Sequence, residues 1–139
     1  NKLSGHSTII IGTDASGHTK GSKTDETQGT HSIGERGGHY NNWNGKRMTK
    51  MLGNTGMIAV NTHWESSSGN TYFAKREGKK HSIRVDYILM AKHSYGLILD
   101  MQVDDMMGWR LQGSGGIEPN DDVPISTRMN FGNRRAART

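Results

Sequence analysis

The sequence predicts an α+β fold with mostly antiparallel strands and one clear helix, and three observations predict it. Short β-branched and aromatic runs recur along the chain, separated by turn residues such as Gly and Asn, which is the pattern of strands joined by short connections. One segment, 44–56, carries apolar residues at helical spacing instead. The length of 139 residues allows one domain at most.

The first predicted strand is the β-branched run 8–11, which Gly12 closes. Its continuous apolar character indicates a buried strand that leads into a loop. From 19 to 40 the chain consists mainly of Gly, Ser, Thr, His and Lys. We therefore expect a long loop, and loops of this length are usually functional or mobile.

The helix is predicted over 44–56. Asn44 can cap its start, and Gly56 can end it in the left-handed conformation. Three apolar side chains form an i, i+3, i+4 stripe that we interpret as core: Met48, Met51 and Leu52.

Further strands are predicted from short apolar or alternating runs at 57–62, 71–75, 82–91, 97–103 and 123–131. A turn at 76–80 joins the second of these strands to the third. Pro124 suits the start of a strand or an edge strand.

The run 82–91 is the centre of this arrangement. It is apolar on one face throughout and on both faces near its end, which predicts a strand buried on both sides. Asp86 lies in its middle, where a carboxylate is costly unless it is hydrogen-bonded, paired or coordinating an ion. Two interpretations follow. Either Asp86 holds a loop through backbone N–H groups, or it belongs to a binding or catalytic site.

Composition limits the classes of function. Leu, Ile, Val and Phe account for 22 residues, about 16%, which is below the roughly 20% at which a chain becomes short of core. We therefore expect part of a larger domain or assembly. The net charge of +5 favours a polyanionic partner. The absence of Cys excludes disulfides and thiolate zinc sites. No apolar run is long enough to span a bilayer, and we expect an intracellular protein of unassigned compartment.

Carboxylates stand at predicted strand ends or inside predicted strands at Asp14, Asp86, Asp121 and Asp122. If the fold brings them together, they offer the oxygen ligands that Mg²⁺ prefers. The seven His residues show no H-x-H or H-x-x-x-H spacing, so zinc ligation is not predicted.

Five short motifs follow one another in a particular order. They are IIIGTDASG at 9–17, NNWNGKR at 41–47, AVNTHW at 59–64, VDYIL at 85–89 and NDDVPI at 120–125. In this order the chain resembles the endonuclease/exonuclease/phosphatase superfamily, in particular the apurinic-type endonuclease domain of non-LTR retrotransposons. The resemblance covers most of the chain and implies the C-terminal half of a four-layer α/β sandwich. The other half, with a metal-binding Glu, is expected outside this chain.

The resemblance implies Mg²⁺-dependent hydrolysis of a phosphodiester. It assigns Asp14 and residue 16 to the attacking water and a phosphate oxygen, and Asp86 to support of the site. It assigns Asp121 and residue 122 to an Asp-His pair that directs an imidazole at the scissile phosphate. Asp14 and Asp121 are the residues of this chain that it places near the metal.

Two departures from that pattern bear on activity. Ser16 stands where the family has Asn, so a hydroxyl replaces an amide. Asp122 stands where the family has His, so a carboxylate replaces a cation-capable imidazole beside the phosphate. We therefore expect an eroded, non-catalytic domain.

The chain is expected to form a partial endonuclease-like domain at 1–132 and a basic tail at 133–139. Arg134, Arg135 and Arg138 of that tail can contact phosphates, or the tail is simply a solvated terminus.

The favoured hypothesis is a structural or nucleic-acid-associated subunit of a larger protein or ribonucleoprotein assembly, with RNA or DNA phosphates as a contact and no cofactor. The alternative is an active endonuclease that requires Mg²⁺. A small-molecule phosphatase of the same superfamily is a third candidate, which nothing in the loop 19–40 favours.

Overall fold

The structure is a computed structural model that describes residues 8–22, 31–65, 69–104, 107 and 122–131. Its strands and its α-helix, in chain order, are β1 (Ile10–Asp14), α1 (Trp43–Thr55), β2 (Met57–Ala59), β3 (Tyr72–Arg76), β4 (Lys79–Ile83), β5 (Asp86–Ala91), β6 (Ile98–Val103) and β7 (Ile125–Met129). Short 3₁₀ turns follow β2 at Val60–Thr62 and β5 at Lys92–Leu97. None of the described helices is both long and apolar enough to cross a membrane.

A three-stranded antiparallel sheet in the order β1–β5–β2 lies at the centre of the fold. β3 pairs with β4, and β6 pairs with β7, both antiparallel. The prediction of an α+β fold with mostly antiparallel strands and one clear helix is confirmed.

Each face of the central sheet buries a different set of apolar side chains. On one face Met48 and Leu52 of α1 pack in one cluster with Ala59, Tyr87 and Leu89 of the sheet and with Ile33. On the other face Ile58, Val60 and Met90 pack with Ile98 and Met101 of β6. The sheet is therefore the middle layer between α1 and the β6–β7 pair, and burial of both faces is the main stabilising contribution.

The predicted strand 82–91 is in fact two strands, so that prediction is wrong in part. The break falls at Arg84 and Val85, because these residues bond to groups outside the sheet. The Arg84 guanidinium donates to the carbonyl oxygens of Arg36 and Gly69, and the Val85 N–H donates to Thr71 Oγ1 at 3.1 Å. Asp86 is consequently the first residue of β5 rather than the middle of a strand.

The first strand also differs from its prediction. β1 starts at Ile10 and continues through Gly12 to Asp14, whereas 8–11 was predicted. Its apolar residues are not buried, since Ile9, Ile10 and Ile11 are 41–47% exposed. The physical reason is position, because β1 pairs with β5 along one edge and is an edge strand of the described sheet.

The helix prediction holds with two corrections. The N-cap is Asn42 rather than Asn44, because the Asn42 backbone is extended and its side chain accepts from Gly45 N–H. Met51 is exposed and is not core, while Met48 and Leu52 are buried as predicted. Gly56 ends the helix in the left-handed conformation (φ 66°), as predicted.

The remaining strands are close to their predicted positions. β2 ends at Ala59 because the chain turns into the 3₁₀ segment Val60–Thr62. β6 and β7 each lie within their predicted runs, and Pro124 directly precedes β7. The described part of the predicted loop, 19–22 and 31–40, contains isolated bridges and no strand or helix.

Candidate functional site

Three of the predicted carboxylates lie at one end of the central sheet. Asp14 ends β1 and Asp86 begins β5, and the antiparallel register places the two residues directly opposite each other. Asp122 forms an isolated bridge with Tyr72, which brings it toward the same end of β5. The negative charges of Asp122 and Asp14 both contribute to the raised pKa of Asp86.

Asp86 is the most perturbed carboxyl group of the site. Burial is the largest cause of its raised pKa, and the negative charges of Asp122 and Asp14 add to it. A hydrogen bond from the Thr71 hydroxyl acts in the opposite direction. Asp86 Oδ2 is buried and has no hydrogen-bond partner. Such an atom is satisfied by a proton, an ion or a water molecule.

Two buried polar side chains fix the backbone around Asp86. Thr71 Oγ1 accepts from the N–H groups of Val85 and Asp86. Asn61 Nδ2 donates to the carbonyl oxygen of Asp86 at 3.2 Å, and Asn61 Oδ1 accepts from Ile88 N–H at 3.1 Å. Asn61 therefore continues the bonding to β5 beyond the end of β2. The sequence signal for it was the Asn-Thr pair that follows the run 57–60.

Ser16 is bonded to Asp14 rather than directed away from it. Its N–H donates to Asp14 Oδ1 at 2.8 Å, and its hydroxyl donates to the same oxygen at 3.3 Å. Ser16 has a positive φ of 42°, a conformation in which Asn is several-fold enriched among residues other than Gly. The position where the family has Asn thus has the backbone conformation that suits Asn.

The loop that carries Ser16 is held against the start of α1. The carbonyl oxygen of Ser16 accepts from the side-chain amides of Asn42 and Asn44. The Tyr87 hydroxyl donates to the carbonyl oxygen of Gly17 at 2.7 Å. The motifs at 9–17 and 41–47 are therefore in direct contact through the Ser16 carbonyl oxygen.

A cleft of about 370 Å³ opens beside Asp86. Its described lining residues are Gly12, Thr13, Asp86, Tyr87, Ile88, Asp122, Val123, Pro124 and Ile125. Two carboxylates face this cleft, and no Lys, Arg or His is among the described residues that line it. The described cleft is therefore acidic and lacks the cationic groups that usually bind phosphate.

The described residues include no group of three His, Asp or Glu side chains placed to hold a metal ion. Asp86 Oδ2 is the buried oxygen among them that a cation could satisfy. Asp121, Arg134, Arg135 and Arg138 were also predicted as site residues, and they lie outside the described residues. Their assignment remains a prediction.

Together the central antiparallel sheet, the helix on one face and the carboxylates at the strand ends define an endonuclease-like α+β fold. The structure is similar to a solved structure, the endonuclease domain of TRAS1, a telomere-specific non-LTR retrotransposon, with a TM-score of 0.55 and 18% sequence identity. The similarity covers 87% of this chain and 42% of the TRAS1 endonuclease chain, so this chain spans less than half of that chain's length. No family model and no curated protein matches the sequence. The resemblance predicted from the motifs is confirmed for the fold.

Proposed function

We propose that this chain is a catalytically eroded endonuclease-like domain that binds nucleic acid as a subunit of a larger assembly. The observation that carries the proposal is the carboxylate of Asp122 at the cleft beside Asp86, where the resemblance implies an imidazole. Asp86 and Asp122 line the same cleft, and the negative charge of Asp122 contributes to the raised pKa of Asp86.

A phosphodiester carries a negative charge, and hydrolysis builds further charge on its oxygens. An imidazolium or a cation stabilises that charge, whereas a carboxylate destabilises it. Because no cationic side chain is among the described residues that line the cleft, a phosphate placed there meets net repulsion. This electrostatic arrangement favours loss of catalysis.

The β3–β4 hairpin supports a role in nucleic-acid binding. Its register places Lys75 opposite Lys80 and Arg76 opposite Lys79, and all four residues are exposed. Like charges directly across a strand pair destabilise the hairpin. Phosphates relieve this repulsion when they bind, with release of counterions. We infer that the hairpin is a contact for the nucleic-acid backbone.

Binding is tested by measuring affinity for an unrelated DNA duplex over a range of salt concentrations. The double substitution Arg76→Gln and Lys79→Gln should weaken binding. It should also make the negative slope of log K against log salt shallower by about 2. Lys92→Gln is the matched control, because Lys92 is exposed in a different part of the fold. A slope equal to that of the unsubstituted chain would contradict the role of the hairpin.

Catalysis is tested by incubating the chain with supercoiled plasmid and Mg²⁺. We expect no nicking by the unsubstituted chain. Asp122→His restores the imidazole of the family pattern and serves as the comparison. Nicking by the unsubstituted chain that Asp14→Asn abolishes would overturn the proposal of an eroded site.

One observation favours the alternative of an active Mg²⁺-dependent endonuclease. Asp86 Oδ2 is buried without a hydrogen-bond partner, and a cation would satisfy it as well as a proton would. The nicking assay separates the two functions, because only the active enzyme requires both Mg²⁺ and Asp14.

A further inference from the structure

Two large aromatic side chains lie on the surface just before and at the start of α1. Tyr40 is 57% exposed and Trp43 is 67% exposed. Neither ring belongs to the two described core clusters. Two exposed aromatic rings that are three residues apart in the sequence and outside both clusters point to a binding surface.

Each ring is supported by one neighbour. The Tyr40 ring stacks on the His18 ring, with centroids 4.9 Å apart and planes at 28°. The Arg47 guanidinium lies 4.4 Å from the centroid of the Trp43 ring. These contacts restrict the rotamers of both aromatic side chains, so a ligand that stacks on them loses less conformational entropy on binding.

The backbone that carries the two rings is also anchored. Asn41 Oδ1 accepts from Lys20 N–H at 2.8 Å. Asn42 Oδ1 accepts from His18 N–H at 2.9 Å, and Asn42 N–H donates to the carbonyl oxygen of His18 at 3.2 Å. The segment 40–43 is thus tied to the loop 18–20 at several points, which fixes the positions of the rings.

The charge around the rings is positive. The sequence contains no Asp or Glu from Arg36 to Trp64. Lys46, Arg47 and Lys50 are exposed on α1 within two turns of Trp43. Aromatic rings next to a run of cations are the combination that binds unpaired bases and their phosphates.

We propose that Tyr40 and Trp43 form a stacking platform for single-stranded nucleic acid. A ring at the surface can stack on the face of an unpaired base, whereas the base faces inside a duplex are already stacked. Tyr40 lies on the same cleft as one end of the hairpin. This cleft, of about 340 Å³, is lined by His39 and Tyr40 and by Ser82 and Ile83 of β4, which follow the basic residues Lys79 and Lys80 along that strand. The proposal rests on the proposed nucleic-acid-binding function and specifies its substrate class.

The test compares affinities for an oligo(dT) of about 12 nucleotides and for a duplex of the same length. Trp43→Ala should weaken oligo(dT) binding by about five-fold or more, and Tyr40→Ala should act similarly. Duplex binding should change by less than about two-fold. Trp43→Phe keeps a ring and should retain most of the affinity. Phe131→Ala is the matched control, because Phe131 is equally exposed elsewhere on the surface.

Circular dichroism confirms that each variant is folded, which is expected because both rings are exposed. Oligo(dT) should also quench the fluorescence of the unsubstituted chain more than that of Trp43→Phe. If Trp43→Ala changes the affinities for oligo(dT) and for the duplex by the same factor, or changes neither, the proposed stacking platform is overturned. If the hairpin variant still weakens binding in that case, the proposed function stands. Absence of binding to either probe would overturn both proposals.

Discussion

Two glycines of α1 should respond in opposite directions to the same substitution. Gly53 lies in the helix with nothing within 4 Å of a Cβ placed on it. Gly53→Ala should therefore raise the free energy of unfolding by about 0.8–1 kcal/mol, the difference in helix propensity between the two residues. Gly45 is buried in the first turn, and a Cβ there would overlap the carbonyl group of His18.

The overlap at Gly45 cannot be relieved by a side-chain rotation, because the atoms it meets are backbone. The His18 loop is further held by Asn42, whose side chain accepts from both Gly45 N–H and His18 N–H. Overpacking typically costs about 1–3 kcal/mol, and forced backbone movement lies at the upper end. Subtracting the helix-propensity gain of about 1 kcal/mol leaves a net loss of roughly 1–2 kcal/mol for Gly45→Ala.

The assay is urea unfolding followed by far-ultraviolet circular dichroism on the two variants and the unsubstituted chain. The pair controls for helix propensity, because both substitutions are Gly→Ala in one helix. The midpoint should rise for Gly53→Ala and fall for Gly45→Ala, with similar m-values. If both substitutions stabilise the protein, the close approach of Gly45 in α1 to the His18 carbonyl group is refuted.

Three further predictions concern the carboxylate site. Ser16→Asn should raise the free energy of unfolding by a few tenths to about 1 kcal/mol, because Asn tolerates the positive φ; thermal unfolding checks this. Asp122→Asn should lower the pKa of Asp86 toward its ordinary value, as followed by NMR titration of the carboxyl carbon. The folded chain binds the Asp86 proton more tightly than the unfolded chain does, so protonation of Asp86 stabilises the fold at low pH. This stabilisation is lost as the pH rises through the raised pKa, and the loss should be smaller in Asp122→Asn. Asn61→Ala should lower the free energy of unfolding in urea by about 2 kcal/mol, because it leaves two partly buried backbone groups of β5 without their partners.

Local signals in the sequence predict the hairpin and the end of the helix well. The predicted turn at 76–80 is shorter in the structure, because β3 ends at Arg76 and β4 begins at Lys79. Glu77 and Gly78 form the turn, and both have the positive φ that a two-residue hairpin turn needs. Gly56 is recognisable for the same reason at the end of α1. In both places one short segment contains the whole cause of the conformation, so no distant partner has to be known.

The break between β4 and β5 is not predictable in this way. Apolar alternation continues through the run 82–91 without a Gly or Pro to mark an end. The partners that divide it are Thr71 and the carbonyl oxygens of Arg36 and Gly69, which come from distant parts of the chain. The choice of Asn42 over Asn44 as N-cap has a similar origin, because Asn42 also accepts from His18 N–H.

Sequence order named Asp14, Asp86 and Asp122 as candidates, and the antiparallel register explains why the first two lie opposite each other. Asn61 lies in the motif at 59–64 but was not assigned to the site. Thr71 was not assigned because a buried Thr that bonds to backbone has no distinctive local pattern. The perturbation of Asp86 depends on burial and on two charges from other strands, which only the fold brings together.

Two sets of residues surround the site. The residues that hold its backbone match the family pattern, whereas two side chains that the resemblance assigns to the phosphate depart from it. Asn61 and the Asn42–Gly45 contacts lie in motifs that match the pattern, and they keep the Asp14 and Asp86 strand ends in register. The two departures, Ser16 and Asp122, are side chains assigned by the resemblance to the phosphate. Under the proposed function, the first set keeps the fold that presents the basic hairpin and the Tyr40–Trp43 platform, and binding does not require the second set.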